Sequence, residues 1–410
     1  MAISFKNRKT ALVAIGVVMF LYAFFNSAYV QLTTPLLSTI IREQGYTDPT
    51  LANMIVTMGN LAQIPANILG GILGSRMDKK KMSYVSAALV IGGSLAVIPL
   101  AGNIFAVLAC RAVVGFGSGM LILISTAILP DFYEGKQLST MIGLVLAGSG
   151  FWGFISSNVA GFVNQAAGWQ TAYLLYLYGV VPMALFALIV PRAPFVTKAA
   201  RMDKDPKAAA DAKAHAPIAP MVYVYALVGA VSFMLVQLVW SNSSLWVEGT
   251  IGGTAAQAGM ASSVLSLFSC LARLGFGALY GKLGRWTVHL NIAMLIVGLA
   301  VASFASSFPA ALLALAFVGA AMGLEAPTCL NRCIEVAPHC QERAQAITSV
   351  GFALGNFGST YWLLFVNGLG DGSLTSAFSM NTVFAAGFLV LAILVSLAMI
   401  RRERANAAAA

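Results

Sequence analysis

At 410 residues the chain is 59% hydrophobic and 9% charged, with 24 Lys and Arg against 14 Asp and Glu and a net charge of +10. Ordinary globular domains carry about 25% charged residues, so a soluble domain is excluded. Apolar runs of about 20 residues recur along the chain, each long enough to cross a hydrocarbon core of ~30 Å. A spanning backbone must close its own hydrogen bonds, and these continuous runs lack the alternation of a membrane barrel. The class is a polytopic helical membrane protein with the lipid bilayer as its solvent.

The predicted spans run over 11–37, 51–74, 82–101, 103–129, 138–162 and 170–191, then 219–245, 260–281, 287–306, 308–334, 343–367 and 376–400. They divide six and six: an N-terminal bundle over 1–191, a linker over 192–218 and a C-terminal bundle over 219–410. The linker mixes Lys198, Arg201, Lys204, Lys207 and Lys213 with Asp203, Asp205 and Asp211 among alanines. Such a composition cannot bury a core. Twenty of the 24 cations fall in the amino terminus, the linker, the even-numbered loops and the carboxy tail, all on one side. That bias is the positive-inside rule, so both termini are expected in the cytoplasm. It explains the basic balance without a nucleic-acid partner. Lys6, Arg8 and Lys9 resemble the start of a signal peptide, but the run behind them is too long and no small-residue cleavage site closes it.

An internal repeat supports the division. Gly71 to Lys79 pairs with Gly277 to Arg285, and Pro130 to Glu134 with Pro338 to Glu342, at nearly one offset. Duplicated halves in transporters enclose a midplane site and rock around it. The loop pattern Gly-x-Leu-x-Asp-Arg-x-Gly-Arg-Arg is met by Gly277, Leu279, Lys282, Gly284 and Arg285, and by Gly71, Leu73, Arg76, Lys79 and Lys80, with Ser75 and Asp78 departing from it. The fourth span carries Arg111-Ala-Val-Val-Gly115-Phe-Gly117, and Gly168-Trp169 opens the sixth. On these residues the chain resembles the major facilitator superfamily over essentially its full length. The resemblance implies twelve transmembrane helices in two pseudo-symmetric six-helix bundles, in a bacterial inner (plasma) membrane. Drug antiporters of that superfamily carry Gly-Pro in the fifth helix. Here the helix reads Ala147-Gly-Ser-Gly150-Phe-Trp-Gly153, which weakens an efflux reading.

Ionisable groups inside a bilayer are expensive and mark function. The spans hold Arg111, Arg273, Glu325 and Arg332. Converging guanidinium groups suit a carboxylate or phosphate through bidentate hydrogen bonds. Arg273 falls about 20 Å into its span at 1.5 Å per residue, close to the midplane. Its setting, Arg273-Leu-Gly-Phe-Gly277, resembles the eighth helix of oxalate/formate antiporters and monocarboxylate transporters, where an arginine meets the substrate. Arg111 is a second substrate or coupling candidate. Glu325 is either a proton carrier or the counter-ion of Arg273, with the balance slightly toward the counter-ion. Asn26, Tyr29 and Gln31, Asn60 and Gln63, Gln237, Trp240 and Asn242, and Asn356 and Tyr361 complete a midspan lining. A cytoplasmic gate is expected from Arg76, Asp78, Asp131, Glu134, Lys282, Arg285, Arg332 and Glu335.

The five cysteines all fall in spans or on the cytoplasmic side, which argues against a disulfide framework. Cys329 and Cys333 share a helix face, and helix packing explains them better than a metal site. No nucleotide-binding glycine loop and no nucleophile–base pair is present, so no cofactor and no enzyme activity is expected. The expected function is secondary active transport of a small organic anion, a carboxylate above all, by alternating access. Proton-coupled symport and anion exchange both stay open, and the chain is expected to work as a monomer. The alternatives are efflux of amphipathic drug-like compounds and a non-transporting sensor on a transporter fold.

Overall fold

The computed structural model describes residues 8–74, 78–191, 218–337 and 341–409. Apart from Ile218, the linker lies outside the described residues, as does Arg76. Every regular element among the described residues is helical. The first stretch comprises α1 (Arg8–Tyr22), α2 (Phe24–Gln31), α3 (Leu37–Gln44), α4 (Pro49–Gly74), α5 (Lys79–Leu100), α6 (Ile104–Ala127), α7 (Gly135–Tyr173) and α8 (Val180–Ile189). The second comprises α9 (Pro220–Gly249), α10 (Ala255–Leu283), α11 (Thr287–Phe304), α12 (Phe308–Val336), α13 (Gln341–Leu369) and α14 (Leu374–Ala409).

Helix starts follow the sequence. Asp48 Oδ1 accepts the N–H groups of Thr50 and Leu51 at 2.8 and 3.2 Å, and Asn103 Oδ1 those of Phe105 and Ala106 at 3.0 and 3.4 Å. Thr254 and Gln257 close a capping box ahead of α10. Such bonds satisfy amides that have no partner inside the helix. The first span departs from the single helix expected over 11–37. It breaks after Tyr22 and again before a 3-10 turn at Thr34–Leu36. Pro35 supplies no amide and disfavours a helical Thr34, which accounts for the second break. Gly45, at φ 66°, then ends α3 in the left-handed region.

Among the described residues, eight helical segments are long and apolar enough to span a membrane. Two of them, Thr140–Ile189 and Ala255–Phe304, are 50 residues long. At 1.5 Å per residue such a segment measures about 75 Å, more than twice the core of a bilayer. Each contains a glycine at positive φ: Gly168 at 80° and Gly284 at 51°. At these points the α-helical run is interrupted.

Within the first stretch α6 packs on α4 and α5; within the second α12 packs on α10 and α11. The two stretches meet along α7 against α10 and α4 against α13. On the first of these seams Gly161 and Gly259 are in backbone contact, since a Cβ on Gly161 would lie 2.6 Å from the Cα of Gly259. Only glycine permits that approach. The seam is closed at the end bearing residues 31–53, 165–173 and 245–256. There Asn53 Nδ2 donates to Asn242 Oδ1 (2.7 Å), Thr57 and Thr360 share a hydrogen bond (2.7 Å), and Ala256 N–H donates to Gln165 Oε1 (3.1 Å). Arg42 and Glu248 approach to 3.9 Å across the same end. Contact continues inward as far as the Cys270 thiol on the Ala147 carbonyl, at 3.4 Å. Beyond it Gly143, Gly275, Gly277 and Gly281 have no neighbour within 4 Å of a Cβ position among the described residues. Gly277 and Gly281 lie one and two turns past Arg273 on the same helix face. The interior therefore opens at the other end.

Candidate functional site

A cavity of about 120 Å³ lies where the two stretches face each other, just past the closed end. From the first stretch it takes Asn26, Ser27, Val30 and Gln31 on α2, Asn60 on α4, and Ser149 and Gly150 on α7. From the second come Gln237 and Trp240 on α9, Ser266, Ser269 and Arg273 on α10, Met322 on α12 and Asn356 on α13. The structure thus brings Asn26, Gln237, Trp240, Arg273 and Asn356 to one cavity. Arg273 is the charged member among the described lining residues, so the cavity carries one formal positive charge.

Other expected site residues lie elsewhere. The side chain of Tyr29 is outside the described part of the structure. Tyr361 is 49% exposed on α13, meets Phe357 edge to face at 5.7 Å and is absent from the lining, so it faces away from the cavity. Arg111 is 0% exposed and is not in the lining. Its Nε donates to the Ile55 carbonyl at 2.8 Å and its Nη1 to the Tyr176 hydroxyl at 3.3 Å. Tyr176 in turn donates to the Ala28 carbonyl at 3.1 Å and shares a hydrogen bond with Thr33 at 3.0 Å. Arg111 therefore ties α6 to α4 and to the end of α2, where the sequence suggested a substrate contact. Replacing it by leucine should lower the melting temperature through the loss of about 1–3 kcal/mol of buried hydrogen bonding. Thermal unfolding measures this.

Glu325 is 2% exposed on α12 and receives the Cys329 thiol at 3.2 Å. Among the described residues it makes no ion pair with Arg273 and does not line the cavity. The counter-ion expectation is corrected on that geometry. Cys329 and Cys333 are buried free thiols, Cys333 sharing a hydrogen bond with Thr348 at 2.9 Å.

At the open end the expected gate is only partly assembled. Lys79 Nζ meets Asp131 at 2.7 Å and the Ala127 carbonyl at 2.8 Å. Asp78 instead caps α5, accepting the Lys80 amide at 2.9 Å. Lys80 reaches the Ala187 and Val190 carbonyls at the end of α8, where a cation complements the helix dipole. Glu335 is held by Arg332 one turn back and by the Tyr280 hydroxyl, so it does not meet Lys282. Arg332 also holds the Tyr225 hydroxyl, with Nη2 at 3.1 Å. Glu134 is exposed at the start of α7, Lys282 is exposed at the end of α10, and Arg285 lines a groove beside Tyr225 and Val288. Burial pushes the phenol of Tyr133 up to about 12, and it donates to the Leu12 carbonyl at 2.5 Å. That bond fixes the loop after α6 against α1.

The small polar lining residues were missed by sequence reasoning: Ser27, Ser149, Ser266 and Ser269. A signal for them exists. Ser262, Ser266, Ser269 and Arg273 are spaced four, three and four apart, a polar stripe on one face of α10.

Comparison with known proteins agrees with this architecture. Residues 19–360 match the family model described as Major Facilitator Superfamily. A peptide transporter POT mutant superposes with a TM-score of 0.74 at 13% identity, covering 97% of this chain and 99% of that one. A POT family transporter in complex with a thioalcohol-conjugated peptide gives 0.71 at 12%, covering 93% and 96%. A bacterial homologue of the human lysosomal transporter Spinster, inward-facing and unoccupied, gives 0.65 at 14%, covering 95% and 96%. Among curated proteins, the niacin transporter NiaP of Acinetobacter baylyi is 23% identical over 162 residues, 39% of this chain. The matched region spans about a third (35%) of that relative's length.

Proposed function

We propose that this chain, which belongs to the major facilitator superfamily, moves a small organic anion, a carboxylate, across a bacterial inner membrane by alternating access. As a member of that superfamily it is a multi-pass membrane transporter and not an enzyme. The observation that carries the substrate reading is Arg273 in the cavity between the two bundles, with no carboxylate beside it among the described lining residues. A guanidinium taken out of bulk water needs an anionic partner, and a substrate carboxylate can supply one in bidentate geometry. The setting of Arg273 is what supports placing the chain near the oxalate/formate and monocarboxylate branch.

Twelve crossings follow from reading each 50-residue segment as two spans that turn at Gly168 and Gly284. The 26-residue α4 and 29-residue α13, the more polar helices of the seam, supply the remaining two. The bundles then comprise 1–191 and 219–410. With both termini cytoplasmic by the positive-inside rule, the closed end is periplasmic and the state is inward-facing. Lys282 and Arg285, at the open end of the second bundle, are the groups that would approach the Lys79–Asp131 pair when that end closes.

Coupling falls to Glu325. Buried on α12 and apart from Arg273, it can take and release a proton without competing for the substrate. Proteoliposomes with an imposed proton gradient test this. The native protein should accumulate the acid, whereas Glu325→Gln should exchange it without proton-driven accumulation. Full accumulation by Glu325→Gln would overturn the coupling role. The match to a niacin transporter favours a second reading, in which the acid is aromatic and its ring lies on the Trp240 face.

A further inference from the structure

We infer that a groove on the outside of the second bundle, between α9, α11 and α14, holds one anionic phospholipid of the cytoplasmic leaflet, with its phosphate on Arg285 and an acyl chain along the groove. This goes beyond the substrate reading and does not depend on it. Only the choice of leaflet rests on the orientation given by the positive-inside rule.

The groove arises from the way α14 is held. It packs along α11 but touches α9 only sparsely. Two hydrogen bonds set that course. Asn381 Nδ2 donates to the Leu235 carbonyl of α9 at 3.0 Å, and further along Ser396 shares a hydrogen bond with His289 of α11 at 3.2 Å. Past Asn381, α14 follows α11 and leaves a space of about 240 Å³ against α9. Its wall is apolar over Val224, Leu227, Val231, Phe388, Leu391 and Val395. Leu227 and Leu391 are 65% and 57% exposed, and no residue of this wall lines the cavity of Arg273. The groove therefore opens to the surroundings of the bundle.

Lipid surrounds a transmembrane bundle, and length, depth and charge choose which lipid. The wall runs along α9 from Met221 to Val231, about 15 Å at 1.5 Å per residue, which is half of a ~30 Å core and so one leaflet. Its polar end carries Arg285, followed by Trp286, which is 42% exposed and meets the His289 ring at 4.9 Å. Exposed tryptophans of such bundles sit at headgroup level. There the guanidinium of Arg285 offers a planar fork of N–H donors that suits a phosphate. Tyr225, in the same wall, adds one more. Its hydroxyl accepts Nε and Nη2 of Arg332 at 3.2 and 3.1 Å, and among the described residues its own proton has no acceptor. A phosphate oxygen can take it. A zwitterionic lipid would bring an ammonium group to the same arginine, which repels it, whereas an anionic headgroup brings none. Basic pockets between helices on the cytoplasmic side are suited to anionic headgroups for these reasons.

The test is native mass spectrometry of the purified full-length protein in detergent. It is supplied with phosphatidylglycerol, phosphatidylethanolamine and phosphatidylcholine of identical acyl chains, and separately with glycerophosphoglycerol, the headgroup without chains. One phosphatidylglycerol should be retained about fivefold more strongly than either zwitterionic lipid, the size expected of one arginine meeting an anionic headgroup. The chainless headgroup should not be retained. Arg285→Gln should abolish the preference. Val228→Trp, which fills the groove and leaves Arg285 in place, should abolish it too. Leu391→Trp serves the same purpose if Val228→Trp does not fold. Equal retention of the three lipids by the native protein would overturn the inference, as would a preference that persists in Arg285→Gln or in a folded groove-filling variant. Retention of glycerophosphoglycerol as strong as that of the lipid would also overturn it, since the groove would then contribute nothing.

Discussion

Arg273→Gln should lower carboxylate uptake and binding at least a hundredfold, with the protein still folded. Arg273 supplies the positive charge among the described lining residues, and a charge-assisted bidentate pair is the strongest single interaction such a cavity can offer. Loss of a buried, hydrogen-bonded charge pair is typically worth 2–5 kcal/mol, and about 2.7 kcal/mol already corresponds to a hundredfold. Arg273→Lys keeps the charge without the planar fork and should recover only part of the loss. Uptake into proteoliposomes measures the first effect, and equilibrium binding separates it from a slowed conformational step.

A cross-link between Asn53→Cys and Asn242→Cys should stop transport completely and reversibly. These two side chains hydrogen-bond across the closed end at 2.7 Å, close to Thr57 and Thr360, which bridge α4 and α13. Alternating access requires that contact to open. A short bifunctional thiol reagent on the double variant would pin the end shut and hold the cavity open to the opposite face. Uptake should fall to background and return on reduction, and neither single variant should respond. Uptake that persists in fully cross-linked protein would show that substrate passes without that end opening.

How far the sequence carries depends on the physics at each position. Depth in the membrane is legible, because residues rise 1.5 Å each along an apolar run of known direction. That is why Asn26, Gln237, Trp240, Arg273 and Asn356, all midspan, reach one cavity. Facing is much less legible. Lipid and bundle interior are both apolar, so the periodicity that sorts the faces of a soluble helix is weak here. Arg111 and Tyr361 are the consequence: at plausible depths, one turns into a buried network behind the cavity and the other toward the outside. Partner choice among loop charges was no better defined. Asp78 carries the charge of a gate residue, yet its position immediately before α5 makes it a helix cap. Lys79 and Asp131, from the repeated loop segments, did find each other.

Ligand-induced thermal stabilisation of the purified protein, native and Arg273→Gln side by side, tests the central claim most directly. The panel should hold small carboxylates including nicotinate, neutral solutes of the same size, and lipophilic cations. Stabilisation of the native protein by a carboxylate, absent in Arg273→Gln, is the predicted result. Stabilisation by lipophilic cations or neutral solutes that Arg273→Gln retains in full would contradict the anion site and leave Arg273 a structural residue.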